Sequence, residues 1–267
     1  MNWFERCAGH GKAKAGTEKS TVAETMSKAY DAAGRGDYET ALAIWGPLAH
    51  AGVARAQNNI GACFLEGLGV KRDEALAIKW LKLAAVSDPV GQRNLASLYF
   101  KGQGIEQDYA RAAELYRQAA EAGDGPAQDM VSWMLLEGEI IPSDPIEARR
   151  WAAAAADQNI AAAMTRLGMI YHNALGVERD SRLAVLWWQR GAERGDADGQ
   201  AMLGAAYHLG SGVARNGVTA FGWLLRAAAG GSALANPFFT AVEQSLSEDE
   251  VIEAKRLAGQ PLPEPQP

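Results

Sequence analysis

Cysteine is scarce in this chain of 267 residues, where Cys7 and Cys63 are the only two. A scaffold held together by disulfides needs more of them at patterned spacings, so that class is excluded. Cys63 lies inside a helical pattern and reads as a small buried hydrophobe, whereas Cys7 sits as an incidental thiol in a ragged N-terminus. Basic charge is also short. The 26 Lys and Arg against 32 Asp and Glu leave a net charge of −6 and a pI near 5.3. A nucleic-acid binder carries a basic face, so nucleic acid is not an expected partner. Long apolar runs are missing as well: nothing approaches the ~18 residues of a membrane span. The first twenty residues contain no apolar run long enough for a signal-peptide core. Cys7 follows Glu5 and Arg6, the wrong context for a lipoprotein cleavage site. The expected location is the cytoplasm.

Catalytic motifs are absent too. No H-E-x-x-H, C-x-x-C, G-x-S-x-G or S-x-x-K occurs, and the aspartates are spread evenly rather than paired for acid–base work. An enzyme, a cofactor, a metal site and a small-molecule substrate are therefore not expected.

What the sequence does have is a period. Four turns read Gly67-Leu68-Gly69-Val70, Gly102-Gln103-Gly104-Ile105, Ala174-Leu175-Gly176-Val177 and Gly210-Ser211-Gly212-Val213. A degenerate copy, Gly138-Glu139-Ile140-Ile141, lies between the second and third. Successive offsets are 35, 36, 36 and 36 residues. A period of this length marks stacked supersecondary units. The turn glycines join helices and lack both the preceding strand and the Gly-Lys-Ser/Thr of a phosphate loop, so they do not point to nucleotide.

Three residues after each Val or Ile comes Asp73, Asp108, Asp144, Asp180 or Asn216, the side chains that cap a helix by accepting from its free N–H groups. Pro145 follows Asp144 at the first helical position, where its missing N–H costs nothing. Seven residues beyond each cap stand Trp80, Leu115, Trp151, Trp187 and Trp223, which the pattern places inward on a second helix, B. Small pairs such as Ala84-Ala85 and Ala227-Ala228 follow. Before each turn, a first helix, A, carries Ile60, Leu95, Val131, Leu167 or Leu203, and next to it a small residue, Gly61, Ala96, Ser132, Gly168 or Gly204. Three positions further come Phe64, Tyr99, Leu135, Tyr171 and Tyr207. This is a helical stripe with a close-approach point. A mid-helix glycine costs about 1 kcal/mol against alanine, so its recurrence implies packing.

A weaker copy begins near Thr21 and reaches Trp45. Ser247-Glu248-Asp249-Glu250 is a capping box that opens a last helix through Leu257, with Gly259 to end it. The chain is thus expected to be all-α, an α-solenoid of about six antiparallel helix pairs with a C-terminal capping helix. Residues 1–20 form a leader, 21–231 the repeats, 232–259 the cap, and 260–267 an extended, unpacked proline-rich tail.

The turn glycines, the Asp three residues on, the Trp at fixed offset, the double Ala and the period resemble the Sel-one-like repeat family, a relative of the tetratricopeptide class. The resemblance covers roughly residues 22 to 231. It implies a right-handed superhelix that serves as an adaptor or scaffold, often in bacterial signalling, envelope or secretion systems. Secreted members of the family close each repeat with a disulfide; this chain lacks those cysteine pairs, which agrees with a reducing compartment. The third copy lacks its second turn glycine, Leu115 replaces a tryptophan and Asn216 an aspartate.

Positions that vary between copies are free for function. On helix A these are the rows Asn58/Arg93/Asp129/Thr165/Ala201, Ala62/Ser97/Trp133/Met169/Ala205 and Leu65/Phe100/Leu136/His172/His208. Spaced i, i+4 and i+7, they share one helix face, which in stacked helix pairs usually lines the concave surface. Trp133 stands out as an aromatic anchor beside Phe100, Leu136 and Met169, with Arg93 and Asp129 at the edge; the alternative is that it fills space beside the irregular third turn. His172 and His208 share one repeat position and could form half of a metal site, but no third ligand stands at the adjoining copies. The expected function is a scaffold that grips a peptide or helix of another protein along Arg93, Phe100, Asp129, Trp133, Leu136, Met169, His172 and His208. The alternative is an envelope-associated binder of cell-wall or polysaccharide material.

Overall fold

The computed structural model describes residues 21–262, and among them are fourteen α-helices and no strand. The leader, with Trp3 and Cys7, and residues 263–267 of the tail lie outside the described residues. The chain divides into two compact units between Asp124 and Gly125. The first holds α1 (Val22–Gly34), α2 (Tyr38–His50), α3 (Ala54–Glu66), α4 (Glu74–Ala84), α5 (Pro89–Lys101) and α6 (Tyr109–Glu121). The second holds α7 (Gly125–Glu137), α8 (Pro145–Asp157), α9 (Ala161–Asn173), α10 (Ser181–Glu193), α11 (Ala197–Leu209) and α12 (Gly217–Ala229). It then ends with a 3-10 turn (Ala233–Ala235), α13 (Asn236–Gln244) and α14 (Glu248–Ala258). Odd-numbered helices from α1 to α11 are the A helices and even-numbered ones from α2 to α12 the B helices. The six expected pairs are all present.

The caps fall where the spacing puts them. Asp73 accepts from the Leu76 N–H, Asp108 from Arg111, Asp144 from Glu147, Asp180 from Leu183 and Asn216 from Thr219. Each fills part of the hydrogen-bonding deficit of a helix start. Ser247 and Glu250 form the full capping box on α14, and these hydrogen bonds lower the Glu250 pKa. α13 is the element that the repeat pattern does not announce, because it begins where the period stops; Pro237 in its first turn is its local signal.

Within a pair, the small residue of helix A is a seat for a large residue of helix B. A Cβ placed on Gly61 would lie 2.8 Å from Cγ of Leu81, and one on Gly204 would lie 2.9 Å from Cγ of Leu224. On Gly168 it would lie 2.3 Å from Cδ1 of Trp188. The residue that fills the seat is therefore one position later than the tryptophan row. That row is an inward position only in the first unit, where Trp45, Trp80 and Leu115 are buried. In the second unit Trp151, Trp187 and Trp223 are half-buried, a correction to the expectation that all pack inward. Cys63 is buried, and that burial pushes its thiol up to about 11, so it stays protonated and unreactive at neutral pH.

One turn carries backbone strain. The helix C-caps Gly67, Gly102, Gly138 and Gly210 are left-handed, and in α9 the same place is taken by Ala174 at φ 58°. An L-residue pays about 1–2 kcal/mol there. Part of that is returned by the smaller unfolded-state entropy of alanine. Ala174→Gly is therefore expected to stabilise the protein by about 0.5–1 kcal/mol, read as a rise in the denaturation midpoint; no rise would show that the turn relaxes at no cost.

Candidate interaction surface

Successive A helices touch one another, α3 against α5, α7 against α9 and α9 against α11, while α2, α4, α8 and α10 each pack between their own A helix and the next. The A layer is thus the more closely spaced of the two within a unit. The row nearest the layer interface does not face outward. Asn58, Thr165 and Ala201 are buried. Its polar members are all engaged: Asn94 donates to Asn58 at 2.8 Å and Arg166 pairs with Asp129 at 2.9 Å from one repeat to the next, while Arg93 pairs with Asp124 at 3.0 Å and the Thr165 hydroxyl donates to Asp196 at 2.6 Å, each at the end of its own repeat. Asp88 joins this set by capping α5 and pairing with Arg55 at 2.7 Å, which raises the Arg55 pKa. Partly buried, charge-assisted bonds of this kind hold geometry better than exposed pairs. Arg93 and Asp129 thus each hold an ion pair within their own unit.

The remaining candidates are half-buried. Phe100 belongs to the first unit, where its ring meets Tyr109 edge-on at 5.3 Å. The other five belong to the second unit. Trp133 and Leu136 lie on α7, Met169 and His172 on α9, and His208 on α11. Leu136 packs on the cluster of Met164, Leu167 and Ile170. The His172 ring lies 5.2 Å from that of Trp188, and its Nδ1 is buried without a hydrogen-bond partner. The His208 ring lies 6.4 Å from Phe238 on α13, and its carbonyl accepts from Arg215. Equal repeat positions have thus acquired different neighbours. Among the described residues no group of three His, Cys, Asp or Glu is placed to hold a metal ion. Trp133 and Met169 share one repeat position on neighbouring A helices and present half-exposed apolar surface beside Leu136.

Sequence reasoning missed the B helices as surface. A hollow of about 380 Å³ is lined in the first unit by Arg111, Leu115 and Gln118 of α6 together with Val86 and Tyr99. In the second unit, Glu147, Trp151 and Ala154 line a smaller one of about 190 Å³, and Thr219, Trp223 and Arg226 one of about 350 Å³. These are the same three repeat positions, 36 and 72 residues apart. At two of the copies the tryptophan carries an arginine three residues on, and the guanidinium stacks on the ring: Arg190 over Trp187 at 4.9 Å and Arg226 over Trp223 at 5.6 Å. The Trp-x-x-Arg spacing was visible in the sequence and is the signal that could have drawn attention to this face.

A chain made of capped helix pairs, each seated on a small residue and repeated every 36 residues, is an α-helical repeat protein. It belongs to the Sel1 repeat family, whose model matches residues 54–85, 89–124, 125–160, 161–196 and 197–232. The first helix pair, α1 and α2, lies outside these matches. A Sel1 repeat protein from Oxalobacter formigenes is 27% identical, with a TM-score of 0.77 over 91% of this chain and 99% of that one. A sel1 repeat protein from Klebsiella pneumoniae subsp. pneumoniae is 22% identical, with a TM-score of 0.48 over 74% of this chain and 97% of that one. No curated protein matches the chain. Repeats of this family generally mediate protein interactions, and no helix among the described residues is long and apolar enough to cross a membrane.

Proposed function

We infer that the chain is an interaction scaffold whose second unit holds a peptide or helix of a partner protein along the A-helix face of Trp133, Leu136 and Met169. The observation that supports this reading is Trp133 itself. It is half-exposed on a helix whose buried side is already filled by Val131, Met134 and Leu135. Met169, beside it, is flexible and polarisable enough to adapt to different partners. His172 and His208 border the same face. Phe100 would serve in the same way on the first unit. We place the protein in the cytoplasm, and cell fractionation tests that; recovery in the envelope would favour the polysaccharide reading instead.

A partner that depends on this anchor is expected to lose about 2 kcal/mol, roughly thirtyfold in affinity, on Trp133→Ala, with the far-UV circular dichroism unchanged. A photo-crosslinker at position 169 identifies the partner, and calorimetry with the purified pair measures the loss. Binding unaffected by Trp133→Ala would remove this face from consideration. A collapse of the helical signal would instead make Trp133 a packing residue of the third turn.

A further inference from the structure

At the end of the second unit the chain displays a mode of holding polypeptide. After α14, the chain from Gly259 to Leu262 runs back over α12. Arg226 Nη2 donates to the carbonyls of Leu257 at 2.7 Å and Gln260 at 2.6 Å, while its guanidinium stacks on Trp223. Pro261 lines the hollow beside that ring, and Leu262 lines a second one with Leu225 and Ala229. Gln260 and Pro261 remain exposed and Leu262 is half-buried, so the segment is held by the Arg226 contact and the two hollows rather than enclosed. The acceptors are main-chain carbonyls at and just beyond the end of α14, which an arginine satisfies well.

One repeat earlier, Trp187 and Arg190 of α10 occupy the same two positions. The stack is there, at 4.9 Å, but among the described residues the Arg190 guanidinium makes no hydrogen bond. Beside it Leu186, a large apolar side chain, is 45% exposed. We propose that the Trp187–Arg190 face of α10 is a second docking site, which takes an extended, proline-containing segment of a partner protein. Trp187 receives the proline, Leu186 widens the apolar contact, and Arg190 donates to main-chain carbonyls as Arg226 does.

The choice of an extended segment over a helix follows from Leu186. Its counterpart on α12 is Gly222, where even a Cβ would lie 3.4 Å from the Ala254 carbonyl oxygen of α14 and 3.7 Å from the Leu257 Cβ. A whole leucine there would run into the helix. Leu186 therefore keeps a helix from approaching α10 as closely as α14 approaches α12. A polyproline-type strand is slimmer and leaves its carbonyls free of internal hydrogen bonds, which suits an arginine donor.

The test is fluorescence anisotropy with the intact protein and a labelled synthetic peptide of the sequence of residues 257–267. Saturable binding is expected, weakened about tenfold by Arg190→Ala, by Trp187→Leu and by Pro261→Ala in the peptide. Trp133→Ala is expected to leave it unchanged, which separates this site from the A-helix face. Trp187→Leu installs the residue type found naturally at Leu115, and thermal melts check its fold; if it unfolds, Arg190→Ala decides. No saturable binding, or binding indifferent to Arg190→Ala and lost with Arg226→Ala, would overturn the proposal, the latter by showing exchange with the chain's own end segment.

Discussion

Trp188→Ala is expected to lower the stability of the second unit by about 3–5 kcal/mol, the range for removing a buried tryptophan. Trp188 is only 2% exposed and sits among Ala184, Val185, Leu203 and Ala206. Its ring fills the notch that Gly168 leaves open on α9, and the His172 ring covers it from one side. The indole Nε1 has no hydrogen-bond partner, so the ring is there for its volume rather than for a polar contact. Removing it opens a cavity between α9 and α10 that the two helix backbones cannot close by small shifts. Trp188→Leu should lose much less, since leucine fills the same seat at Leu81 and Leu224. The neighbouring Trp187→Ala, on a half-buried ring, should also lose less. Denaturant midpoints followed by circular dichroism give the order directly. If Trp187 proved the costlier of the two, the seat-and-filler account of the repeat would fail.

Gly212→Ala is the second large effect, expected to cost about 2–5 kcal/mol. Gly212 adopts φ 75°, where an alanine is strained by about 1–2 kcal/mol whatever the space around it. Space is lacking as well: a Cβ would lie 2.1 Å from the carbonyl oxygen of Ser181 and 2.4 Å from its carbon. Those are backbone atoms at the start of α10, with no side-chain rotation available to relieve the contact. The turn of one repeat must therefore lift away from the helix start of the preceding one, adding about 1–3 kcal/mol of overpacking. Gly123→Ala is the control. Gly123 has φ 91° but nothing within 4 Å of its hypothetical Cβ, so only the strain of about 1–2 kcal/mol applies. Equal losses for the two would mean that the close approach at Gly212 relaxes freely and that contact between successive repeats there contributes nothing.

These two effects also show where pattern reading stops. The second turn glycine could be recognised by its recurrence at Gly69, Gly104, Gly176 and Gly212, but the reason for it lies in the preceding repeat. At Gly69 a Cβ would meet Tyr38 at 2.7 Å, as at Gly212 it would meet Ser181. The tryptophan row was likewise easy to see, but the inward depth assigned to it holds only in the first unit. Rows on a B helix one residue apart differ by about 100° around the axis. With Trp187 and Trp188 adjacent, apolar character cannot decide which faces the A helix.

By itself the sequence determined the elements and their order. Caps, left-handed turn residues and the 36-residue spacing are local features, each read within a few positions of the chain, and local chemistry fixes where helices start and stop. It also determined the family, because the same local features recur five times. Only the tertiary structure decided what each exposed-looking position meets. Arg93 and Asp129 looked free on a helical wheel, yet their partners Asp124 and Arg166 stand 31 and 37 residues away, the first at the end of the same repeat and the second on the next one. The clamp of Arg226 on Leu257 and Gln260 is of the same kind, since those carbonyls carry no side-chain identity that a pattern could register. Contacts between repeats depend on how helix pairs stack, and stacking sums many weak packing terms over residues far apart in the chain.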